Sequence, residues 1–497
     1  MNRFLQIIND IISFEEKIQI FKNTKKTLLI GISVILLFNI FTYILTDYVN
    51  IKKIQSREKT TGLSHDKAQH FFYFFYYTGN FPLASLNKKL KFSKDDAINE
   101  INNNGNNLIM EYGHWSRLGE NLRIITYYPN AIIRGSPENP SVKLFNSIFF
   151  VLGLILVFIA FVKINKALLG SIIVAIVNMT PFFIYEIYQN QNILALLTSG
   201  FLIVLALNLK LIFAKKVSIY KLIIISILSG IVVGFTSEIR GETIIIIGST
   251  LLIYLLSKSL KWYLKIIPIV LVIIAMFFTK TEIKNYFNNN FEQTYQLVKE
   301  HNGHVYNGKR NNAHIFWHPI YCGLGDFDKK YGYKWSDRVA FEYSIPILKE
   351  KYNLDFKYNK GDLFLDEYYD KDKLYYKKFD DFVEYEEIMK DKVLSDIKSD
   401  PLWYANILVK RFVRILTITL PIPLIGWISL LLIFILFRIK QWNYLKFIII
   451  SLPLSFTPFV IYSGDGTTYN SFFPIITISI IIYWLITYKI KSTKRAI

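Results

Sequence analysis

Asp66 lies in Ser64-His65-Asp66-Lys67-Ala68-Gln69-His70, just before an unbroken aromatic run from Phe71 to Tyr77 and then Thr78-Gly79-Asn80-Phe81-Pro82. A carboxylate placed this way can take a proton from an attacking hydroxyl. It can equally do no more than cap a helix N-terminus. The aromatic run predicts a helix packed on protein or lying at a membrane interface, with Thr78-Gly79 ending it. A second polar cluster is Glu111-Tyr112-Gly113-His114-Trp115-Ser116-Arg117. Glu111 and His114 share a face if the stretch is helical. A carboxylate beside a histidine suits acid–base work, whereas a Glu111–Arg117 pair would only clasp a loop.

Further along, His314 and His318 have the i, i+4 spacing of zinc ligands on a helix. The glutamate that should follow the first histidine is absent, and Pro319 interrupts the pattern. The stretch Trp317 to Asp328 mixes glycine, aromatics and acids, His318 and Asp326 among them. It suits a shaped loop over a sugar or acceptor, or simply a small folded unit. Pro401-Leu402-Trp403-Tyr404 opens an amphipathic helix carrying Lys410, Arg411 and Arg414. Those cations can hold a lipid phosphate or merely snorkel at the interface. Cys322 is the lone cysteine, which excludes a disulfide within the chain and a Cys-based zinc site. No metal ligand and no cofactor is assigned, a divalent metal being left open. The chain has no Walker A loop, Gly-x-Gly-x-x-Gly motif or serine nucleophile elbow.

The elements that must position these groups are mostly apolar. Of 497 residues, 52% are hydrophobic and only 19% charged. Ordinary soluble domains carry roughly 25% charged residues, and here the apolar residues come in long runs. That excludes disorder, a coiled coil and a soluble enzyme of usual composition. About ten runs approach the roughly 20 residues of a spanning helix: 27–46, 144–162, 168–186, 193–213, 222–236, 243–257, 266–279, 422–437, 447–462 and 471–488. The net charge is +20. Lysine and arginine collect in alternate loops: Lys163 and Lys166, Lys215 to Lys221, Lys258 to Lys265, Arg438 to Lys446, and Lys489 to Arg495. This is the positive-inside pattern. It places both termini in the cytoplasm and the two long polar segments outside. No basic domain stands alone, so a nucleic-acid partner is not expected.

The expected organisation is an all-α polytopic membrane protein. A cytoplasmic amphipathic leader spans 1–26, the first transmembrane helix 27–46 and the first external segment 47–142. Helices two to seven occupy 143–280. A second external segment with its juxtamembrane helix spans 281–420, and the last three helices and basic tail 421–497. The polar groups gather in the outer segments, not inside the spans. That speaks for chemistry at the outer membrane surface more than for transport.

Asp66, Ala68, Gly79 and Pro82 fall in a register that resembles the membrane glycosyltransferases of GT-C fold, which include protein O-mannosyltransferases and lipid A aminoarabinose transferases. That family carries an acid opening a helix after its first span, then an aromatic, a glycine and a proline. Lys67 departs from it where a second acid is frequent. Asn178-Met179-Thr180-Pro181-Phe182-Phe183 resembles the family's Ser-Pro-aromatic stretch. Glu238-Ile239-Arg240-Gly241-Glu242, after Gly230 and Gly234, resembles its Thr-Arg-Pro. The likeness covers residues 27–260 in pattern and spacing more than in identity.

The resemblance implies an inverting transferase with a polyprenyl-phosphate sugar as donor and a glycan, lipid or protein as acceptor, among membrane lipids. Asp66 would be the general base, with Glu111 the other acid to consider. Arg240 or the helix of Lys410, Arg411 and Arg414 would meet the leaving phosphate. Glu242, His114, Arg117, His318 and Asp326 complete the candidate substrate contacts. Three rivals remain at the level of sequence: a lipid-linked glycan polymerase or ligase, a transporter or flippase, and a non-catalytic membrane scaffold that uses the outer segments for binding.

Overall fold

The computed structural model describes residues 24–57, 63–82, 91–110, 122–138, 140–189, 195–213, 217–239, 241–258, 260–305, 316–327, 329–353, 365–370, 373–377, 383–417, 424–461 and 472–496. In chain order the first polar segment follows α1 (Thr24–Arg57) and holds α2 (Leu63–Thr78), α3 (Lys94–Asn104), β1 (Ile109–Met110) and α4 (Leu122–Arg134). An apolar stretch follows with α5 (Lys143–Lys163), α6 (Ala167–Met179), α7 (Pro181–Ile184), α8 (Ala195–Phe213), α9 (Ile219–Ile239), α10 (Ile246–Leu256) and α11 (Ile266–Glu300). The second polar segment contains β2 (His304–Val305), α12 (Trp317–Leu324), α13 (Asp337–Glu350), β3 (Leu365–Asp370), β4 (Lys373–Lys377), α14 (Val383–Ser399) and α15 (Pro401–Thr417). Four apolar helices close the chain: α16 (Ile425–Arg438), α17 (Trp442–Ile449), α18 (Leu452–Ile461) and α19 (Phe472–Ala496).

The chain is an α-helical membrane protein. Among the described residues, six helices are long and apolar enough to span: Thr24–Thr46, Lys143–Lys163, Leu196–Phe213, Ile219–Ile239, Trp262–Glu300 and Phe472–Ile490. The pair α6–α7 adds a seventh, bent by 58° where Pro181 begins a new helix. Thr243–Leu256 and Ile425–Arg438 are shorter apolar helices. The expected run at 447–462 is broken at Ile450-Ser451 into α17 and α18. Hydropathy alone does not see a break, because Ser451 and Pro453 sit among apolar neighbours.

Two helices outrun their expected boundaries. α1 continues to Arg57, past the expected end at residue 46. α11 runs without a break from the apolar stretch to Glu300, so the boundary expected at 280–281 falls inside a helix. The leader 1–23 lies outside the described residues.

The burial of α1 is inverted relative to a soluble helix. Its inward stripe is Ile35, Asn39, Thr42 and Thr46, one face at helical spacing. Leu29, Val34, Leu37, Phe41 and Ile44 are exposed on the other side. An apolar outside with a polar seam inside is what a lipid solvent selects. Asn39 Nδ2 donates to Asn178 Oδ1 of α6 at 3.2 Å, and the Tyr188 hydroxyl donates to Asn39 Oδ1. Asn208 of α8 likewise donates to Ser229 of α9 at 2.8 Å. Gly230 and Gly234 let α9 lie against α11. A Cβ at Gly230 would sit 2.5 Å from the Val272 carbonyl, and one at Gly234 2.8 Å from that of Met276. This is a small-xxx-small seam, where backbone approach replaces the hydrophobic drive that lipid removes.

The two polar segments have different cores. In the first, Phe71 to Phe75 of α2 and Phe81 are buried with Phe287, Phe291 and Val298 of α11. β1 pairs in parallel with β2, Ile109 opposite His304. The first segment and residues 283–305 therefore share one apolar cluster. The second core lies among α12, α13, α14 and α15, around Tyr321, Tyr333, Phe341, Tyr385 and Trp403. The second polar segment, part of a chain expected to be all-α, contains the antiparallel hairpin β3–β4. Its Tyr-rich strands, Leu365–Asp370 and Lys373–Lys377, have the aromatic composition that favours sheets.

Candidate functional site

The candidate side chains that the structure brings together lie at the two ends of α12. This short helix is positioned by charge. At its N-terminus the Glu386 carboxylate of α14 accepts from the backbone N–H groups of Phe316, Trp317 and His318 at 2.8, 2.9 and 3.2 Å. Those donors have no partner within the helix, and a negative charge there suits the helix dipole. Pro319 falls in the first turn, where a missing N–H costs nothing. At the other end Arg411 Nη2 of α15 donates to the Gly323 carbonyl at 2.6 Å. An acid at the start and an arginine at the end thus clamp eight residues that would be marginal alone. The stretch expected to form a shaped loop is this helix and the turn after it.

That turn carries Asp326. Its carboxylate accepts from Arg414 Nη2 at 2.5 Å and lies 3.4 Å from Arg411 Nε. Arg411 and Asp326 are almost wholly buried, while Arg414 keeps a small exposed fraction. Phe327 lies beneath two cations, the Arg414 guanidinium at 4.6 Å and Lys410 Nζ at 5.7 Å from its ring centre. Two arginines therefore share one carboxylate, and a third cation, Lys410, lies over the neighbouring Phe327 ring. Burial pulls the Arg411 guanidinium below its ordinary value, and Asp326 opposes that shift.

α15 is held at both ends. Asp400 accepts from the Trp403 backbone N–H at 3.0 Å, an N-cap followed by proline at the first helical position. Near its end Phe412 packs on Phe456 of α18, with ring centres 5.5 Å apart. The cation cluster thus lies on a helix fixed to the apolar helices.

On the face of α12 one turn before Asp326, His318 and Cys322 lie together with Asp337 of α13. His318 Nε2 is 3.2 Å from Asp337 Oδ1, and Cys322 Sγ is 3.8 Å from that nitrogen and 4.0 Å from that oxygen. His318 Nδ1 faces the Tyr385 hydroxyl at 2.5 Å. The imidazole is stacked on Phe341, with ring centres 5.5 Å apart.

Of the candidate residues from sequence, His318, Asp326, Lys410, Arg411 and Arg414 come together here. Asp66 lies on α2, one turn from its start, and that helix ends on Gly79 in the left-handed region at φ +74°, as the sequence predicts. The Asp66 side chain is outside the described residues. So are Glu111, His114, Arg117, Arg240 and the side chain of Glu242. Two residues before Arg240 in the sequence, the buried Glu238 pairs with Lys280 of α11 at 2.9 Å.

Cys322, Asp337, Tyr385 and Glu386 are the site residues that sequence reasoning does not pick out. The four-residue step from His318 to Cys322 is the one signal, hidden by the more visible His314–His318 pair. Asp337 and Tyr385 arrive from other helices and leave no local mark. The chain matches no family model, no curated protein and no solved structure.

Proposed function

We propose that the protein is an inverting glycosyltransferase of GT-C type. It moves a sugar from a polyprenyl-phosphate-linked donor to an acceptor hydroxyl at the outer face of the cytoplasmic membrane, with both termini cytoplasmic. The observation that carries the reading is the gathering of cations near the end of α15, beside the apolar helices: Arg411 buried, Arg414 half-buried and Lys410 exposed. A lipid-linked donor presents its phosphate at that depth, and the phosphate gains charge as the glycosidic bond breaks. Arg411 is committed to Gly323 and Asp326, so its task is to hold α12. Arg414 is likewise paired with Asp326, and the exposed Lys410 is the cation assigned to the phosphate. Asp66 is the general base that takes the acceptor proton while the hydroxyl attacks the anomeric carbon from the face opposite the leaving group.

The test is transfer from a polyprenyl-phosphate sugar by the full chain in detergent or nanodiscs. Asp66→Asn keeps shape but removes the base, and its rate should fall at least about a hundredfold. Lys410→Gln should lower kcat as well as kcat/KM, because it removes a charge whose partner grows in the transition state, and Glu111→Gln should leave turnover near normal. Normal turnover in Asp66→Asn with loss in Glu111→Gln would reverse the base assignment. No transfer from any lipid-linked sugar by the intact protein would sink the reading. A reporter fused at Asn289 should read as external and one at Lys216 as cytoplasmic.

A further inference from the structure

We propose that His318 Nε2, Cys322 Sγ and Asp337 Oδ1 form a zinc site with its fourth position open to solvent. This inference is independent of the transferase reading. The three atoms lie within 4.8 Å of one another, and their separations carry the proposal. Zinc bonds of about 2.05 Å to nitrogen, 2.3 Å to sulfur and 2.1 Å to oxygen at tetrahedral angles give edges of about 3.4 Å for N···O and about 3.6 Å for the two edges to sulfur. The structure has 3.2, 3.8 and 4.0 Å. Shifts of a few tenths of an ångström bring the triad onto a common metal.

The surroundings match as well. His318 and Cys322 are one turn apart on the same helix face. That helix is clamped at both ends, so two ligands are pre-positioned. With Nε2 on the metal, a neutral imidazole carries its proton on Nδ1 and donates it to the Tyr385 hydroxyl at 2.5 Å. Such an outer partner fixes the tautomer and ring orientation of a ligating histidine. Phe341 stacked on the ring holds its plane. Asp337 is 64% exposed at its side chain, whereas His318 is 9% exposed, so the site opens on one side only. A water or a substrate oxygen can enter there.

The single cysteine, which on sequence alone speaks against a Cys-based zinc site, serves here as one ligand of a mixed set, and one thiolate, one imidazole and one carboxylate suit a borderline ion such as zinc. Magnesium and calcium prefer all-oxygen shells. Binding releases the Cys322 thiol proton to solvent, so affinity rises with pH.

The test uses tag-free, full-length protein in detergent, stripped by chelator, dialysed against zinc and measured for metal content. The expected result is roughly one zinc per chain, as three protein ligands with an open fourth position imply. Cobalt in place of zinc should give a thiolate-to-metal charge-transfer band. Cys322→Ser should abolish that band, and Tyr385→Phe should weaken zinc affinity by roughly 10–100-fold. Two results would overturn the site. One is wild-type protein that holds no stoichiometric zinc and gives no cobalt–thiolate band, which needs no variant to fold. The other is undiminished zinc in the Cys322→Ser, Asp337→Asn double variant eluting as a single species.

Discussion

The two polar cores are similar in aromatic content and opposite in how they are held. Around α2 the contacts are ring on ring. Phe72 meets Tyr76, Tyr127 and Tyr128 with centres 5.9, 5.4 and 5.5 Å apart, and Phe75 meets Phe81 and Phe287. Around α12 the rings are still there, but the placement of the helix depends on Glu386, Arg411 and Asp326. Apolar packing is forgiving of shape changes if volume is kept. A buried charge is not forgiving, since removing its partner leaves it uncompensated. The first core is thus a tolerant platform that joins the first segment to α11. The second is a directional one, and chemistry needs side chains fixed in direction.

The sharpest break of this contrast is Arg411→Ala. It leaves the Gly323 carbonyl with only backbone N–H donors, that of Asp326 among them, and Asp326 with Arg414 alone. The expected loss is about 3–5 kcal/mol, because the truncation removes charge-assisted contacts and also empties the volume of a fully buried side chain. It is read as a fall in thermal midpoint of the detergent-solubilised protein. Arg411→Lys should rescue little, because an ammonium cannot bridge both acceptors as the guanidinium fork does. If Arg411→Lys is as stable as wild type, the clamp is not directional.

Phe72→Ala in the other core comes next. Phe72 is fully buried, and the truncation should cost roughly 3–4 kcal/mol. Phe72→Leu, in contrast, should cost under about 1.5 kcal/mol, because a neighbouring ring can take up the space. Tolerance of leucine here and intolerance of lysine at position 411 is the predicted signature. Equal tolerance in both cores would erase the distinction.

Glu386→Gln is smaller. The amide oxygen can still accept from Phe316 and Trp317, but the amide NH2 then faces the His318 N–H, which loses its acceptor together with the charge. That is about 1–2 kcal/mol. Because Asp337 and Tyr385 do not move, zinc binding should persist, which separates the helix clamp from the proposed metal triad.

Local chemistry made the elements readable, and long-range pairing hid the site. The Asp400-Pro401 cap marks the start of α15 in the sequence, and the helix begins there. Thr78-Gly79 marks the end of α2, and Gly79 adopts the left-handed conformation that closes it. Gly230 and Gly234 can be seen at helical spacing, though not the helix they touch. Arg411 and Arg414 stand out as cations on an amphipathic helix. Their partner Asp326 lies 85 and 88 residues earlier in the chain, and no period or propensity links them. The unbroken reach of α1 and α11 past the apolar stretch escapes hydropathy for a related reason. Hydropathy marks where a helix leaves lipid, not where its hydrogen bonding stops.

The smallest expected effect concerns the surface pair Lys330–Asp400, which ties the turn before α13 to the cap of α15. The bond from Lys330 holds the Asp400 carboxyl below the usual carboxylate range, helped by the Trp403 backbone N–H. A carboxyl whose folded-state value is depressed contributes stability above its ordinary value, and that contribution disappears as pH falls through the folded one. Wild type should therefore exceed Asp400→Asn slightly in thermal midpoint near neutral pH. The gap should stay level down to about pH 5, then close as the solution is acidified below the ordinary aspartate value of about 3.9. Asparagine is as good an N-cap as aspartate, so the cap itself survives the substitution. Added salt should narrow the neutral-pH gap, because the pair is exposed and screened. The absence of any gap near neutral pH would mean that Asp400 acts through its cap alone, and the ion pair would then have no part in joining α15 to the second core.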